Sequence, residues 1–285
     1  MTVRVVPTGG PLGADVTGFD MKSVTEAECE AIRKAWHDHL VIRIRGQDFG
    51  DDDHVRFMRY FGECGGTPLS VFTGRDHIAS HPEISCISNV RENGKPIGSL
   101  GAGELVWHTD MSYLDEPPSA SMLHAIEIPS HGGDTGFLNM YLAYETLSEA
   151  MRRRIATLSI KHEGVHSSSG EIRPGTRVPA SGDVRDYPGA VHPIVRTHPD
   201  TGRKALFLGR RINAYVIGLK VPESEALLDE LWAHACQPRF AWVQRWQLGD
   251  LVMWDNRVSM HRRDAFDDNE RRLMHRMVVR GERPH

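Results

Sequence analysis

Between residues 25 and 40 the apolar side chains recur at helical spacing. Ile32, Ala35, Trp36 and Leu40 fall on one stripe with charged residues between them, the period of an amphipathic helix that buries one side. Thr25 stands three residues before Glu28, the pairing of a capping box, so the pattern predicts a helix over roughly 25–39. From Leu40 to Arg45 apolar and basic residues alternate, as in a half-buried strand. Asp52 to Phe61 returns to helical spacing, with Val55, Met58 and Phe61 on one face. At the start, Val3 and Val5 alternate with Arg4 until Pro7 and Gly9-Gly10 break the strand. Further strands are predicted at Val71-Phe72, Ile84–Ile87, Ala205–Leu208, Ala241–Trp246, Leu251–Trp254 and Leu273–Val279. Leu227, Leu228, Leu231, Trp232 and Ala235 mark a helix opened by Pro222-Glu223. Two stretches, about 64–104 and 164–190, are rich in small and polar residues and predict lid loops able to close over one cavity. Neither a repeat nor a linker long enough to divide domains is present, so 1–285 reads as a single, mainly β domain with helices packed outside.

Composition narrows the possibilities. Apolar residues make up 40% and charged residues 25% of the 285, the balance of a globular protein. With 34 basic and 38 acidic residues the net charge is −4, which gives no electrostatic footprint for nucleic acid. Asp51-Asp52-Asp53 and Arg152-Arg153-Arg154 read as solvated faces. No apolar run approaches the about 18 residues of a membrane span, and MTVRVVPTGG lacks the apolar stretch of a secretory signal. The four cysteines, Cys29, Cys64, Cys86 and Cys236, lack metal-type spacing and read as reduced thiols of a cytoplasmic protein.

The chemistry is carried by a few residues. His108 and Asp110 flank Thr109, and positions i and i+2 of a strand point to the same side; on that reading Thr109 points away. With the distant His261 they make a 2-His-1-carboxylate set, which holds iron(II) and leaves positions open for a cosubstrate and O₂. Arg272, eleven residues on, could take the far carboxylate of 2-oxoglutarate by a bidentate pair. Alternatives remain open here. Among 16 histidines a His-x-Asp pair arises by chance, a His₂Asp set also serves zinc hydrolases, and Arg272 could instead pair with Asp267 or Asp268. A metal- or ligand-binding protein without turnover is a third reading.

Trp107-His-Thr-Asp110, Gly132-Gly-Asp-Thr135, Trp254-Asp-Asn-Arg257, His261 and Arg272-Leu-Met-His-Arg276 resemble the motifs of the taurine dioxygenase / aryloxyalkanoate dioxygenase family of Fe(II)- and 2-oxoglutarate-dependent oxygenases. The likeness runs from Gly13-Ala-Asp-Val-Thr-Gly18 to about Arg280. It implies a double-stranded β-helix, or jelly roll. His108, Asp110 and His261 match the family's iron ligands, Thr135 a threonine that hydrogen-bonds the cosubstrate, and Arg272 the partner of its C5-carboxylate. Arg276 matches an arginine at the substrate end that pairs with an acidic group. For Thr135 a plain turn residue after Gly132-Gly133 is the competing reading. Because Asp110 keeps the carboxylate that halogenating relatives lack, the resemblance implies hydroxylation, or desaturation or cleavage after C–H abstraction, of a small anionic substrate. Homo-oligomers are common in the family.

Departures fall at the substrate end. Taurine enzymes have asparagine where this chain has Glu104, and phenylalanine at the places of Tyr113 and Ile212, so taurine is not expected to be held in the same way. Glu104 and Tyr113 are therefore candidate substrate contacts, with a solvated loop acid as the alternative for Glu104. Trp107 and Trp254 are expected as a dry wall, His275 as strand packing, and His162 and His166 as members of the second loop, at the surface or against substrate.

Overall fold

The computed structural model describes residues 2–65, 77–78, 80–103 and 105–285. Val71-Phe72 and Glu104 lie outside the described residues. The helix at Glu26–His39 begins on the expected box: the Thr25 hydroxyl accepts from the Glu28 N–H, and the Glu28 carboxylate accepts from the Thr25 N–H. Its last turn passes into Leu40, whose positive φ turns the chain directly into the strand Val41–Ile44. The second helix spans Asp51–Arg59.

These helices cover the outer face of the larger sheet. Its central strands run Val41–Ile44, Leu251–Asp255, Ala120–Glu127, Leu273–Val279 and His81–Ser88, each antiparallel to its neighbour. Side chains alternate between two cores. Met122, Met253, Met277 and Val279 join Ile32, Trp36, Phe57 and Met58 of the helices. Leu123, Val252, Trp254 and Met274 point the other way and meet Phe137, Leu138 and Met260 of a smaller sheet. That sheet runs Ala241–Gln244, Thr135–Asn139, Ser259–Arg263, Leu105–His108. The fold is the double-stranded β-helix, or jelly roll, that the resemblance implied.

The period of two decides which residues of Leu273–Val279 face inward. Met274 lies in the core between the sheets and Met277 and Val279 lie under the helices. Arg276 therefore points inward. His275 points outward, where its Nδ1 lies 2.8 Å from Asp51 Oδ1, which is strand packing against a helix.

Between Asn139 and Ala241 the chain leaves the two sheets. It forms the helices Met140–Glu145, Glu149–Ile155 and Val221–Ala235, and a small sheet of Gly189–Pro193, Ser159–Glu163 and Tyr215–Val216. His162 belongs to Ser159–Glu163 and not to a loop. It is wholly buried against His192 and Phe207, ring centroids 5.1 and 5.4 Å away, and burial pushes its pKa well down. His166 is in the loop that follows and is half-buried.

Candidate active site

In the smaller sheet His261 pairs directly with His108 across the antiparallel ladder, which sets the two imidazoles side by side, ring centroids 4.2 Å apart. His108 closes its strand, Leu105–His108. Asp110 lies beyond it, in a turn in which Met111 takes a positive φ. The turn, not the i, i+2 pleat, therefore aims Asp110, and Thr109, expected to point away, lines the same cavity as His108 and Asp110. Asn256 fixes that turn. Its Oδ1 accepts from the Asp110 N–H at 2.8 Å and its Nδ2 donates to the carbonyls of Asp110 and Pro118.

The result is a cluster of three donors. Asp110 Oδ1 lies 3.7 Å from Nε2 of both His108 and His261, and the three ligand atoms are within 4.8 Å of one another. His108 Nδ1 is 2.7 Å from the Val106 carbonyl. A carbonyl only accepts, so Nδ1 carries the hydrogen and Nε2 keeps its lone pair. Burial, then the neighbouring His108, lowers the His261 pKa to about 3, which keeps it neutral. Trp254 packs on this ring at 4.8 Å. Burial opposes the charge of Asp110, but the Arg276 guanidinium beside it outweighs this and holds the carboxyl well below its usual range. Its other oxygen, Oδ2, accepts from Ser121 Oγ at 2.8 Å and lies 2.7 Å from Arg276 Nη2. A neutral His261 imidazole and an ionised carboxylate with one free oxygen are protonation states a metal requires. Trp107, expected as part of the dry wall, points to the opposite face, towards Gly136 and Arg262.

Two narrow cavities of about 60 and about 50 Å³ meet at His108, Asp110, Leu100 and Arg276. One is lined by Thr135, Trp254, Arg263 and Arg272. Arg272 is buried and makes no ion pair with Asp267 or Asp268; burial and then Arg263 lower its pKa to about 9. Its Nε has no hydrogen-bond partner among the described residues. Gly132 and Gly133 both have positive φ, and a Cβ on Gly133 would stand 3.3 Å from Arg272 Nε. The Gly-Gly turn thus lets the backbone close against this guanidinium and leads into Thr135, whose hydroxyl accepts from Trp246 Nε1 at 3.1 Å. Arg263 was given no role from sequence. It donates to the carbonyls of Leu100 and Gly103, tying that loop over the cavity.

The other cavity is lined by Tyr113, Ser167, Ser168, Arg173, Arg210 and Arg276. Both expected loops reach the site, one through Leu100 and one through Ser167 and Arg173. Ile212 is exposed and lines neither cavity, and Glu104 is outside the described residues. Arg173 and Arg210 had no spacing or motif to mark them.

The chain matches the taurine catabolism dioxygenase TauD, TfdA family over residues 4–278. It belongs to this family. It is 33% identical over 287 residues to pentalenolactone F synthase of Streptomyces arenae, covering 98% of this chain and 95% of the relative. The alpha-ketoglutarate-dependent 2,4-dichlorophenoxyacetate dioxygenase of Burkholderia sp. (strain RASC) is 34% identical over 268 residues, 92% of this chain and 88% of that one. Among solved structures, AAD-2 in complex with Mn(II) and N-oxalylglycine superposes with a TM-score of 0.80 at 30% identity, covering 100% of this chain and 99% of that one. This TauD/TfdA member is therefore an Fe(II)- and 2-oxoglutarate-dependent dioxygenase, using O₂ and acting on a small molecule. The zinc-hydrolase and non-catalytic readings are set aside. Among the described residues no helix is long and apolar enough to cross a membrane.

Proposed function

We propose that residues 1–285 act as one oxygenase domain in which His108, Asp110 and His261 hold iron(II), Arg272 and Thr135 hold the C5-carboxylate of 2-oxoglutarate, and Arg276 receives an acidic group of the substrate. The observation that carries this reading is Arg272. A buried guanidinium with no carboxylate partner is costly unless an anion joins it, and here it faces the cavity that opens onto the donor cluster. Thr135 adds a hydroxyl on the same wall, so the anion is oriented as well as bound.

Bound iron(II), with 2-oxoglutarate and O₂, supplies the oxidant. The protein's own work is placement. Asp110 Oδ1 and the two Nε2 atoms fix the metal; Ser121 and Asn256 fix Asp110; Trp254 and Phe137 keep the His261 side dry. Arg276 serves two groups. Its Nη2 steadies Asp110 Oδ2, while its Nε is unpartnered among the described residues and remains for a substrate anion. Hydroxylation of a C–H bond, with release of succinate and CO₂, is the expected outcome, with desaturation or cleavage after C–H abstraction as its variants. The 2,4-dichlorophenoxyacetate relative is named for an anionic substrate, which supports this direction. The free state of all four cysteines suits a reducing cytoplasm.

The test is kinetic. Arg276→Ala should raise the substrate KM more than the 2-oxoglutarate KM. If both rise together, Arg276 helps hold the cosubstrate. A substrate without an acidic group and no effect of the mutation would make it structural.

A further inference from the structure

Arg210 and Arg211 are adjacent in sequence and opposite in circumstance. Arg211 points outward and pairs with Glu225 and Asp229. Arg210 is buried in the substrate-side cavity wall, where its guanidinium donates to the backbone carbonyls of His166 and Glu163 and has no carboxylate at ion-pair distance among the described residues. Arg173 comes in from the loop 164–188, donates to the Gly164 carbonyl, and lays its guanidinium 3.8 Å from the Tyr113 ring centroid; Arg210 lies 5.7 Å from the same ring. Two like charges thus share one aromatic platform, an arrangement that repels itself. Arg276 lines the same cavity. Among the described residues Glu163 is the acid near Arg173 and Arg210 once Asp110 is committed to the metal, and its oxygens already accept from the Val165 and His166 N–H groups. Burial, then Arg173, lowers the pKa of Arg210 to about 10, so it stays charged at neutral pH. Two guanidinium groups thus face the cavity with one carboxylate, Glu163, in their neighbourhood and none at ion-pair distance among the described residues.

We infer that Arg210 and Arg173, set around Tyr113, form a second anion subsite, and that the substrate carries two acidic groups, one for Arg276 and one for this pair. The inference rests on the proposed oxygenase reading of the site and deepens it: it sets the substrate class as a small organic dianion. A flat or extended spacer between the acids would run along the cavity from Arg276 to the Arg173–Arg210 pair beside Tyr113. Each acid would gain charge-assisted hydrogen bonds from guanidinium groups whose desolvation has already been met by the fold.

The experiment is calorimetric titration of the protein loaded with manganese(II) and N-oxalylglycine, so that the cosubstrate cavity is filled. The probes are straight-chain α,ω-dicarboxylates from glutarate to suberate and monocarboxylates of matched length. At least one diacid should bind about 10- to 100-fold more tightly than its monoacid, and both Arg210→Gln and Arg173→Gln should reduce that preference to threefold or less. Arg210 ties two carbonyls, so its variant is first checked by thermal melting; if it does not fold, the half-exposed Arg173 decides alone. Equal affinity for every matched pair, no binding of any diacid, or a preference that survives Arg173→Gln overturns the subsite. Arg276→Gln separates this from the broader reading. Unchanged monoacid affinity in that variant removes Arg276 as an anion site, whereas loss of the diacid preference in the Arg173 and Arg210 variants alone bears on the second subsite.

Discussion

Among the described residues two clusters share one composition, the buried His108–Asp110–His261 and His37–His198–Asp255 with its half-buried His37, and they are built for opposite purposes. In the first, His108 gives its Nδ1 hydrogen to a backbone carbonyl and keeps an Nε2 lone pair, while Asp110 leaves one oxygen free of hydrogen bonds. In the second, His198 Nδ1 accepts from the N–H groups of Asp200 and Thr201, so its Nε2 must donate to Asp255 Oδ2. Asp255 is saturated: Oδ1 accepts from Arg257 N and Nε, and Oδ2 from Arg257 Nη2 and His198. Of the three, His37 Nε2 alone is without a hydrogen-bond partner among the described residues, so three free lone pairs do not converge on a common point. Tautomer and carboxylate occupancy, rather than ligand type or spacing, separate a metal site from a structural knot. The two are also joined in the chain, since Asp255 anchors the turn from which Asn256 holds Asp110.

The largest effects should come from breaking the first cluster. His108→Ala, Asp110→Ala or His261→Ala should abolish iron binding and turnover with little change in melting temperature, because on the proposed assignment each removes one of three protein bonds to the metal. Full activity of any one at limiting iron would remove that residue from the site. In the second cluster the loss should be of stability. Arg257→Ala leaves the buried Asp255 carboxylate without its guanidinium partner, at a cost of about 3–5 kcal/mol, read by denaturant unfolding, while any folded protein still binds one iron. The same pair predicts acid sensitivity. Burial opposes the Asp255 charge, but Arg257 and His198 hold its folded pKa below the usual range. Its contribution is therefore complete above the unfolded value of about 4 and is lost as pH falls through the folded one.

Next in size, Arg272→Ala should weaken 2-oxoglutarate binding by about 2–4 kcal/mol and iron binding far less, measured by anaerobic titration of the iron form. Unchanged cosubstrate affinity would move that role to Arg263 or Arg276. The smallest change, Asn256→Ala, probes the link between the clusters. It should lower iron affinity about 10- to 100-fold and leave His198 and Asp255 paired; an unchanged affinity would show that Ser121 and Arg276 suffice to aim Asp110.

The contrast also explains what could be read from sequence. The capped helix at Glu26–His39, which has one wet face, was legible from its period, and Leu251–Asp255 and Leu273–Val279 were legible as β-type runs although each is packed on both faces. The strands Ala120–Glu127 and Thr135–Asn139, likewise buried on both faces, were not read, because small and polar residues interrupt their apolar runs and no alternation shows. His108, Asp110, His261, Thr135, Arg272 and Arg276 were named because their motifs lie on or beside the strands that frame the site. Asn256 was within a quoted motif, yet its role depends on a turn 146 residues away in the chain. Arg173 and Arg210 come from irregular segments outside the two sheets, where no period constrains side-chain direction, and His198 joins Asp255 through the tertiary fold alone.

The most direct test of the difference between the clusters is metal stoichiometry under anaerobic conditions, by calorimetric titration of iron(II) into the unmutated protein, Asp110→Ala and His198→Ala. The account predicts one iron per chain in the unmutated protein and in His198→Ala, and none in Asp110→Ala. Iron retained by Asp110→Ala, or lost from a folded His198→Ala, would contradict it.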